Sequence, residues 1–298
     1  MSRLFESYEN INFDISKWNV SNVKDMSYMF FGCKLFDCNL SDWDISNVEN
    51  MCTMFDECRN FTGKGLENWD VSKVENMLGL FFNCKKFDCD ISNWDVSNVK
   101  KTSYMFYDCR NFDCDLSKWD VSNVKDMTCM FGNCSKFEGK GLENWNVSNV
   151  EDMCNIFRNC YNFTGKCIEN WDTCSVKNII AAFFENENFN ADLSKWNISK
   201  IKSTYNLFIG CKNFNGEWIS KWDVSNIKEM DCMFKRCENF DCDLSNWDVS
   251  NVETMIEMFY CCKKFTGKGL ENWNVSKVKN TDNMFDNCMK LKKIPSWY

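Results

Sequence analysis

Apolar residues recur along this chain in one fixed order, with polar residues set between them. The repeating unit reads W-x-V-x-x-V-x-x-M-x-x-M-F-x-x-C-x-x-F-(x)-L-x-x-W, the bracketed gap being three or four residues long. Trp18, Trp43, Trp69, Trp94, Trp119, Trp145, Trp171, Trp196, Trp222, Trp247 and Trp273 mark eleven units, spaced by 25 or 26 residues. A phenylalanine follows each of these tryptophans by twelve residues, from Phe30 to Phe285. The extra residue of the longer units always falls between the second Phe and the next Trp. "FDCDLSNW" is the short form and "FTGKGLENW" the long one. The glycines of the long form predict a turn or bulge that absorbs one residue without shifting the rest.

Within the unit, M-x-x-M-F-x-x-C places apolar groups at i, i+3, i+4 and i+7, which is one face of two helical turns. The residue before it is Asp, Asn, Ser or Thr in nine units, as at Asp25, Asn50, Asp126, Ser203 and Asn280. Such side chains accept hydrogen bonds from free N–H groups at a helix start, so this segment predicts a short helix. The segment L-x-x-W-x-V alternates Trp and Val inward, as a short strand does, for example over residues 93–97. The expectation is an α/β repeat solenoid of about eleven coils, each a short strand plus a short helix. It forms a single domain over 1–298, with a partial N-terminal coil at 1–17, repeats at 18–290 and a C-terminal cap at 291–298. Residues 4–11 already follow the M-F-x-x-C-x-x-F spacing, while the pattern runs on after Trp273 only as far as Leu291. One unit alone has a single layer of apolar side chains and nothing to cover it, so the units fold only as a stack.

The spacing L-x-x-W-x-V is that of the strand segment of leucine-rich repeats, with Trp at one Leu position. The remainder, W-[DN]-V-S-N-V-x-x-M-x-x-M-F-x-x-C-x-x-F, closely resembles the 26-residue bacterial surface protein repeat, the BspA-like leucine-rich repeats of mycoplasma and Listeria surface proteins. The likeness covers essentially the whole chain. It implies a leucine-rich-repeat-like solenoid that serves as an adhesion or interaction surface, and it carries no catalytic residues.

Charge and composition narrow the partners. The net charge of −8 argues against nucleic acid, whose phosphates need a basic footprint, and favours basic or neutral protein partners. There is no histidine, so no imidazole serves as a general base or ligand. No apolar run approaches a membrane span, and the first residues lack the basic and apolar regions of a signal peptide.

Three sets of residues are candidates for chemistry. Ten of the 21 cysteines occupy one inward position, from Cys33 to Cys288. They read as a buried column of free thiols, because neighbouring helices ~8–10 Å apart exceed disulfide reach. Cys89 and Cys114 lie in the turns of adjacent coils and are the pair placed to approach each other. No C-x-x-C pair suggests zinc, and free thiols favour a reducing compartment, cytoplasmic or virion, over a secreted one. Second, Asp44, Asp70, Asp95, Asp120, Asp172, Asp223 and Asp248 each follow a Trp and form an acidic ladder on the exposed strand face. They are candidate contacts for a basic partner or Ca²⁺; the alternative is a solvated face that hydrogen-bonds to itself. Third, Phe82, Tyr107, Phe184 and Tyr260 share an outward site, and Trp218 is an extra indole in a turn. These are candidate aromatic anchors for a partner.

The same polar groups are spread evenly along the length, which argues against an enzyme, and no cofactor is expected. The expected function is a protein-interaction or scaffolding solenoid. The alternatives are a component of a larger assembly, such as a virion or surface layer built by end-to-end contacts, and a surface adhesin.

Overall fold

In most coils within each unit, alternate residues of the M-x-x-M-F-x-x-C segment send their N–H groups to the next coil. Met26 donates to the Asn50 carbonyl, Tyr28 to Cys52, Phe30 to Met54 and Gly32 to Asp56, at 2.8–2.9 Å. The computed structural model describes residues 1–9, 11 and 13–298, so two positions of the partial N-terminal coil lie outside the described residues. The chain divides into two compact units, Met1–Asn149 and Val150–Tyr298, and each is a stack of coils.

In the first unit, parallel bridges link Asp25, Asn50, Asn76, Lys101 and Asp126 in succession. The partial coil joins in register, with Arg3, Phe5 and Ser7 donating to the carbonyls of Ser27, Met29 and Phe31. In the second unit, bridges link Asp152 to Asn178, and Ser203, Glu229, Thr254 and Asn280 in succession.

Neither expected element of the coil forms. The M-x-x-M-F-x-x-C segment is not a helix. It is two consecutive four-residue turns, closed by Met29 N–H to Met26 and Cys33 N–H to Phe30 in the first full coil. The third residue of each turn has positive φ, as at Tyr28 (57°) and Gly32 (75°), the mark of a type II turn. Residues one and four of each turn point inward, which yields the spacing 0, 3, 4, 7, the same as a helical face. The side chain before the segment still accepts an N–H two residues on, as from Ser27 to Asp25 at 2.9 Å, but it caps a turn. The L-x-x-W-x-V segment is extended only around Trp-x-Val and lies between turns; residues 93–97 form no strand. The regular helix among the described residues is 3₁₀: η1 at Leu142–Asn144, η2 at Lys166–Ile168, η3 at Glu217–Lys221 and η4 at Leu270–Asn272. All four sit in long-form turns and start after a glycine with left-handed φ, such as Gly141 at 90°. A Cβ at Gly141 would lie 2.2 Å from the Ser117 nitrogen, so both the dihedral and the close approach require glycine there.

The core is where the apolar pattern places it. In the first unit Phe30, Phe55, Phe81, Phe106 and Phe131 stack in sequence at 5.5–5.8 Å between ring centroids. In the second, Phe183, Phe208, Phe234, Phe259 and Phe285 do the same at 5.6–5.9 Å. Every ruler tryptophan from Trp43 onward is buried, whereas Trp18 is half-exposed. Ten indole N–H groups donate to the carbonyl of the Leu or Ile position one coil upstream, as Trp94 does to Leu66 at 2.9 Å. This satisfies the one polar atom of a buried indole. Trp297 extends the series beyond Leu291: its ring stacks 6.0 Å from Trp273 and its N–H donates to Leu270.

Candidate interaction surface

Each coil presents three kinds of outward residue: the polar residues after Trp, the turns that join coils, and the free positions of the paired turns. The first kind is engaged in its own backbone. Asp44 accepts the Ser46 N–H at 3.1 Å and its hydroxyl at 2.7 Å. The N–H bond recurs in all eleven units, with Asp70, Asp95, Asp120, Asp172, Asp223 and Asp248 as acceptors. Asn19, Asn146, Asn197 and Asn274 make the same turn. The serine hydrogen bonds hold the carboxyls of Asp44, Asp120, Asp223 and Asp248 below their ordinary range. All seven aspartates are exposed and cap turns rather than standing on a strand, Asp44, Asp70, Asp95 and Asp120 in the first unit and Asp172, Asp223 and Asp248 in the second. Lys118, two residues before Asp120, donates to Asn93 at 2.6 Å. The exposed Asn two residues after the valine of several coils bonds to backbone one coil upstream: Asn98 donates to the Ser72 carbonyl and Asn123 to Ser97, both at 2.7 Å.

The cysteine column is buried except for the half-buried Cys288, and its thiols from Cys33 to Cys134 and from Cys211 to Cys288 donate to the carbonyl of the core Phe one coil upstream, at 2.9–3.1 Å. Helix separation therefore plays no part in their state, since no helices are there; the S–H group has a backbone acceptor of its own. Burial pushes Cys33 up to about 11 and Cys288 to about 12, which suppresses thiolate chemistry. Unit seven replaces this cysteine by Asn186, fully buried. Its oxygen accepts the Cys160 N–H at 2.7 Å, and its amide nitrogen has no partner.

The turns between coils hold two acidic clefts, one in each unit. One, of about 480 Å³, is lined by Asp88, Asp90, Asp113, Asp115, Cys114 and Lys140 among others. The other, of about 440 Å³, is its counterpart around Asp241, Asp243 and Lys268. Their carboxylates are largely committed: Asp113 accepts the Glu138 N–H, and Asp243 is paired with Lys268 at 2.6 Å. Sequence reasoning missed this stitching, because it links residues one coil apart.

The free turn positions carry the aromatic anchors. Phe82, Tyr107, Phe184 and Tyr260 are all half-buried at equivalent points of their coils. Phe82 and Tyr107 stack at 4.9 Å, with Tyr104 packed against both at 6.0–6.1 Å. Arg158 lies over Phe184 at 4.1 Å, and Lys235 over Tyr260 at 5.1 Å. Trp218 stands apart from this column, half-buried in η3.

A family model described as "Mycoplasma protein of unknown function, DUF285" matches residues 1–65, 53–143, 130–218 and 197–297. No curated protein matches the chain. Among solved structures the chain is similar to a leucine-rich repeat protein from Bacteroides ovatus, at 17% identity over 72% of this chain and 56% of that one, with a TM-score of 0.42. It is also similar to a leucine rich cell surface protein from Faecalibacterium prausnitzii, at 13% identity over 86% and 75%, TM-score 0.36. A leucine-rich repeat protein from Eubacterium ventriosum matches at 13% identity over 92% and 76%, TM-score 0.38. The chain thus spans little more than half the length of the Bacteroides protein.

Proposed function

Because the chain belongs to the family described as Mycoplasma protein of unknown function DUF285, and its coils spend their repeated polar groups on one another, we propose that it is a non-enzymatic repeat protein that binds or scaffolds other proteins. The observation that carries this is the division of labour within the coil. The recurrent Asp, Asn, Trp and Cys positions hold turns and stitch coils, as Asp44, Asn98, Trp94 and Cys109 do. What varies from coil to coil are the outward turn positions, which range from Phe82 to Arg158 to Lys235. A surface whose variation is confined to exposed, backbone-supported positions suits recognition. Catalysis asks for unlike groups gathered in one place.

The net charge of −8 and the exposed aspartates favour a basic protein partner over nucleic acid. Thiols with backbone acceptors of their own favour a reducing compartment, and with it scaffolding over surface adhesion. The repeat crosses from the first unit to the second without a change of spacing, Trp145 to Trp171 being 26 residues, which favours one domain over 1–298. Crosslinking of the native protein in its source cells tests the reading. Crosslinks from a partner to the outward turn residues support it. Crosslinks solely between copies of this chain would favour the larger-assembly reading instead.

A further inference from the structure

The outward column of the first unit runs Phe31, Asp56, Phe82, Tyr107, one residue per coil. Its register is fixed by Gly32 N–H to Asp56, Glu57 N–H to Phe82 and Asn83 N–H to Tyr107. Asp56 therefore stands on the coil between those of Phe31 and Phe82. One of its carboxylate oxygens is closed off from solvent and has no hydrogen-bond partner. No cation answers it: Arg59, the nearest in sequence, is bound to Glu57 at 2.7 Å. Burial, with the negative Glu57 alongside, raises this carboxyl to about 7.

Elsewhere the same column shows what belongs beside its rings. Arg158 and Phe184 occupy this position in adjacent coils, and the guanidinium lies 4.1 Å over the ring. Lys235 and Tyr260 repeat the arrangement at 5.1 Å, with Lys235 also paired to Glu257. A cation laid on the ring of the next coil thus recurs on this surface, and at Lys235 a carboxylate answers it as well. At Asp56 the rings and the carboxylate are present and the cation is missing. Phe82 and Tyr107, one coil apart, are 4.9 Å apart, so two coil steps separate Phe31 from Phe82 by roughly 10 Å. That interval admits one planar guanidinium between two rings at about 5 Å from each, the distance at which Lys235 lies over Tyr260.

We propose that Phe31, Asp56 and Phe82 form a receptor for the guanidinium of an arginine on a partner protein, seated between the two rings and against the carboxylate. This deepens the interaction reading by naming the chemistry of one contact, and it rests on that reading. Arginine fits better than lysine because its flat head stacks and offers paired donors to one carboxylate.

The test uses the full chain and a blocked tripeptide, acetyl-Gly-Arg-Gly-amide, followed by NMR of labelled Phe rings and Asp carboxyls at pH 8. The expected result is saturable shifts at Phe31 and Phe82, and a titration of Asp56 that moves down in the presence of peptide. The lysine peptide shifts the same signals with lower affinity, and the norleucine peptide leaves them still. Asp56→Asn lowers affinity by about tenfold or more. Should that variant fold poorly, the peptide-induced drop in the wild-type Asp56 titration decides the question alone. Unchanged affinity in a folded Asn variant, equal response to lysine, or shifts confined to the acidic cleft around Asp88 and Asp115 would overturn the proposal. Those results leave the broader interaction reading standing, since crosslinks to other turn positions remain its own measure.

Discussion

The indole N–H of Trp145 donates to the carbonyl of Leu116 at 3.1 Å, one coil upstream, while its ring stacks on Trp119 at 6.4 Å with an interplanar angle of 3°. One side chain thus fills the core, ties two coils by a directed bond, and satisfies its own buried N–H at a carbonyl that also accepts the Trp119 N–H at 3.1 Å.

Truncating it removes all three. Trp145→Ala is expected to cost about 3–5 kcal/mol, read from denaturant melts. The same change at Trp18 should cost clearly less, because Trp18 is half-exposed. Equal costs would contradict the stacked-coil account.

Gly141→Ala should destabilise by about 2 kcal/mol or more, since the new Cβ meets the Ser117 backbone at 2.2 Å and φ is 90°. Gly132→Ala makes a useful control. Its φ is not left-handed, and its Cβ meets only the Tyr107 ring at 2.8 Å, a side chain free to shift. Thermal melts that rank the two the other way would refute the turn assignment.

Two opposite pH dependences are expected. Asp115, Asp120, Asp223 and Asp248 are held below the ordinary carboxylate range, and Asp243 at about 2. Their contribution to stability is therefore present above pH ~4 and lost as the pH falls towards about 2. Asp56, raised to about 7, has the reverse sign. The folded chain keeps a proton that the unfolded chain has released, so stability drops as the pH rises from ~4 to about 7. Asp56→Asn should raise the melting temperature at pH 8 and leave it unchanged at pH 4. A difference that persists at pH 4 would count against the assignment.

Thiol labelling should be strongly ordered. Cys174 is exposed and should react with a small alkylating agent in the folded protein. Cys84, Cys109, Cys237 and Cys262 are fully buried, with pKa values pushed well above the ordinary thiol value by burial, and should react only on unfolding. Mass spectrometry of a labelling time course checks this.

The acidic row of the first unit calls for a gentle substitution. A lysine at Asp95 or Asp120 would break a turn as well as reverse a charge. Asn keeps the turn, as Asn146 and Asn197 already show. Asp95→Asn with Asp120→Asn should leave the melt within about 0.5 kcal/mol and weaken binding of a basic partner if the row is its contact. Unchanged partner affinity by calorimetry would remove the row from the interface.

The apolar pattern revealed which side chains meet, and not how the chain travels between them. Met26, Met29, Phe30 and Cys33 are all fully buried, as the spacing requires, yet a helical face and a pair of four-residue turns bury the same offsets. The distinguishing signal lay at the residue before each column cysteine. Gly32, Asn83, Asp108, Asn133, Asn159, Gly210 and Asn287 all have positive φ, and Gly, Asn and Asp are the residues that tolerate it; Glu57, Arg236 and Cys261, with the same positive φ, gave no such signal. The seven aspartates were legible as exposed; each also accepts the N–H two residues on, from Ser in six coils and from Cys174 at Asp172. Trp297 escaped notice because its tryptophan spacing is 24 and the gap from Leu291 to Ile294 is shorter than in any full unit. Partners such as Leu116 for Trp145 cannot be read from a linear string, since the acceptor is backbone one coil away.

The paired turns have an evolutionary corollary. Main-chain groups alone make the ladder from Met26 to Gly32, so the outward letters of each coil can be rewritten without renegotiating the interior. A lineage can change what this molecule recognises by editing a narrow strip, one rung at a time, and keep the scaffold beneath it unaltered.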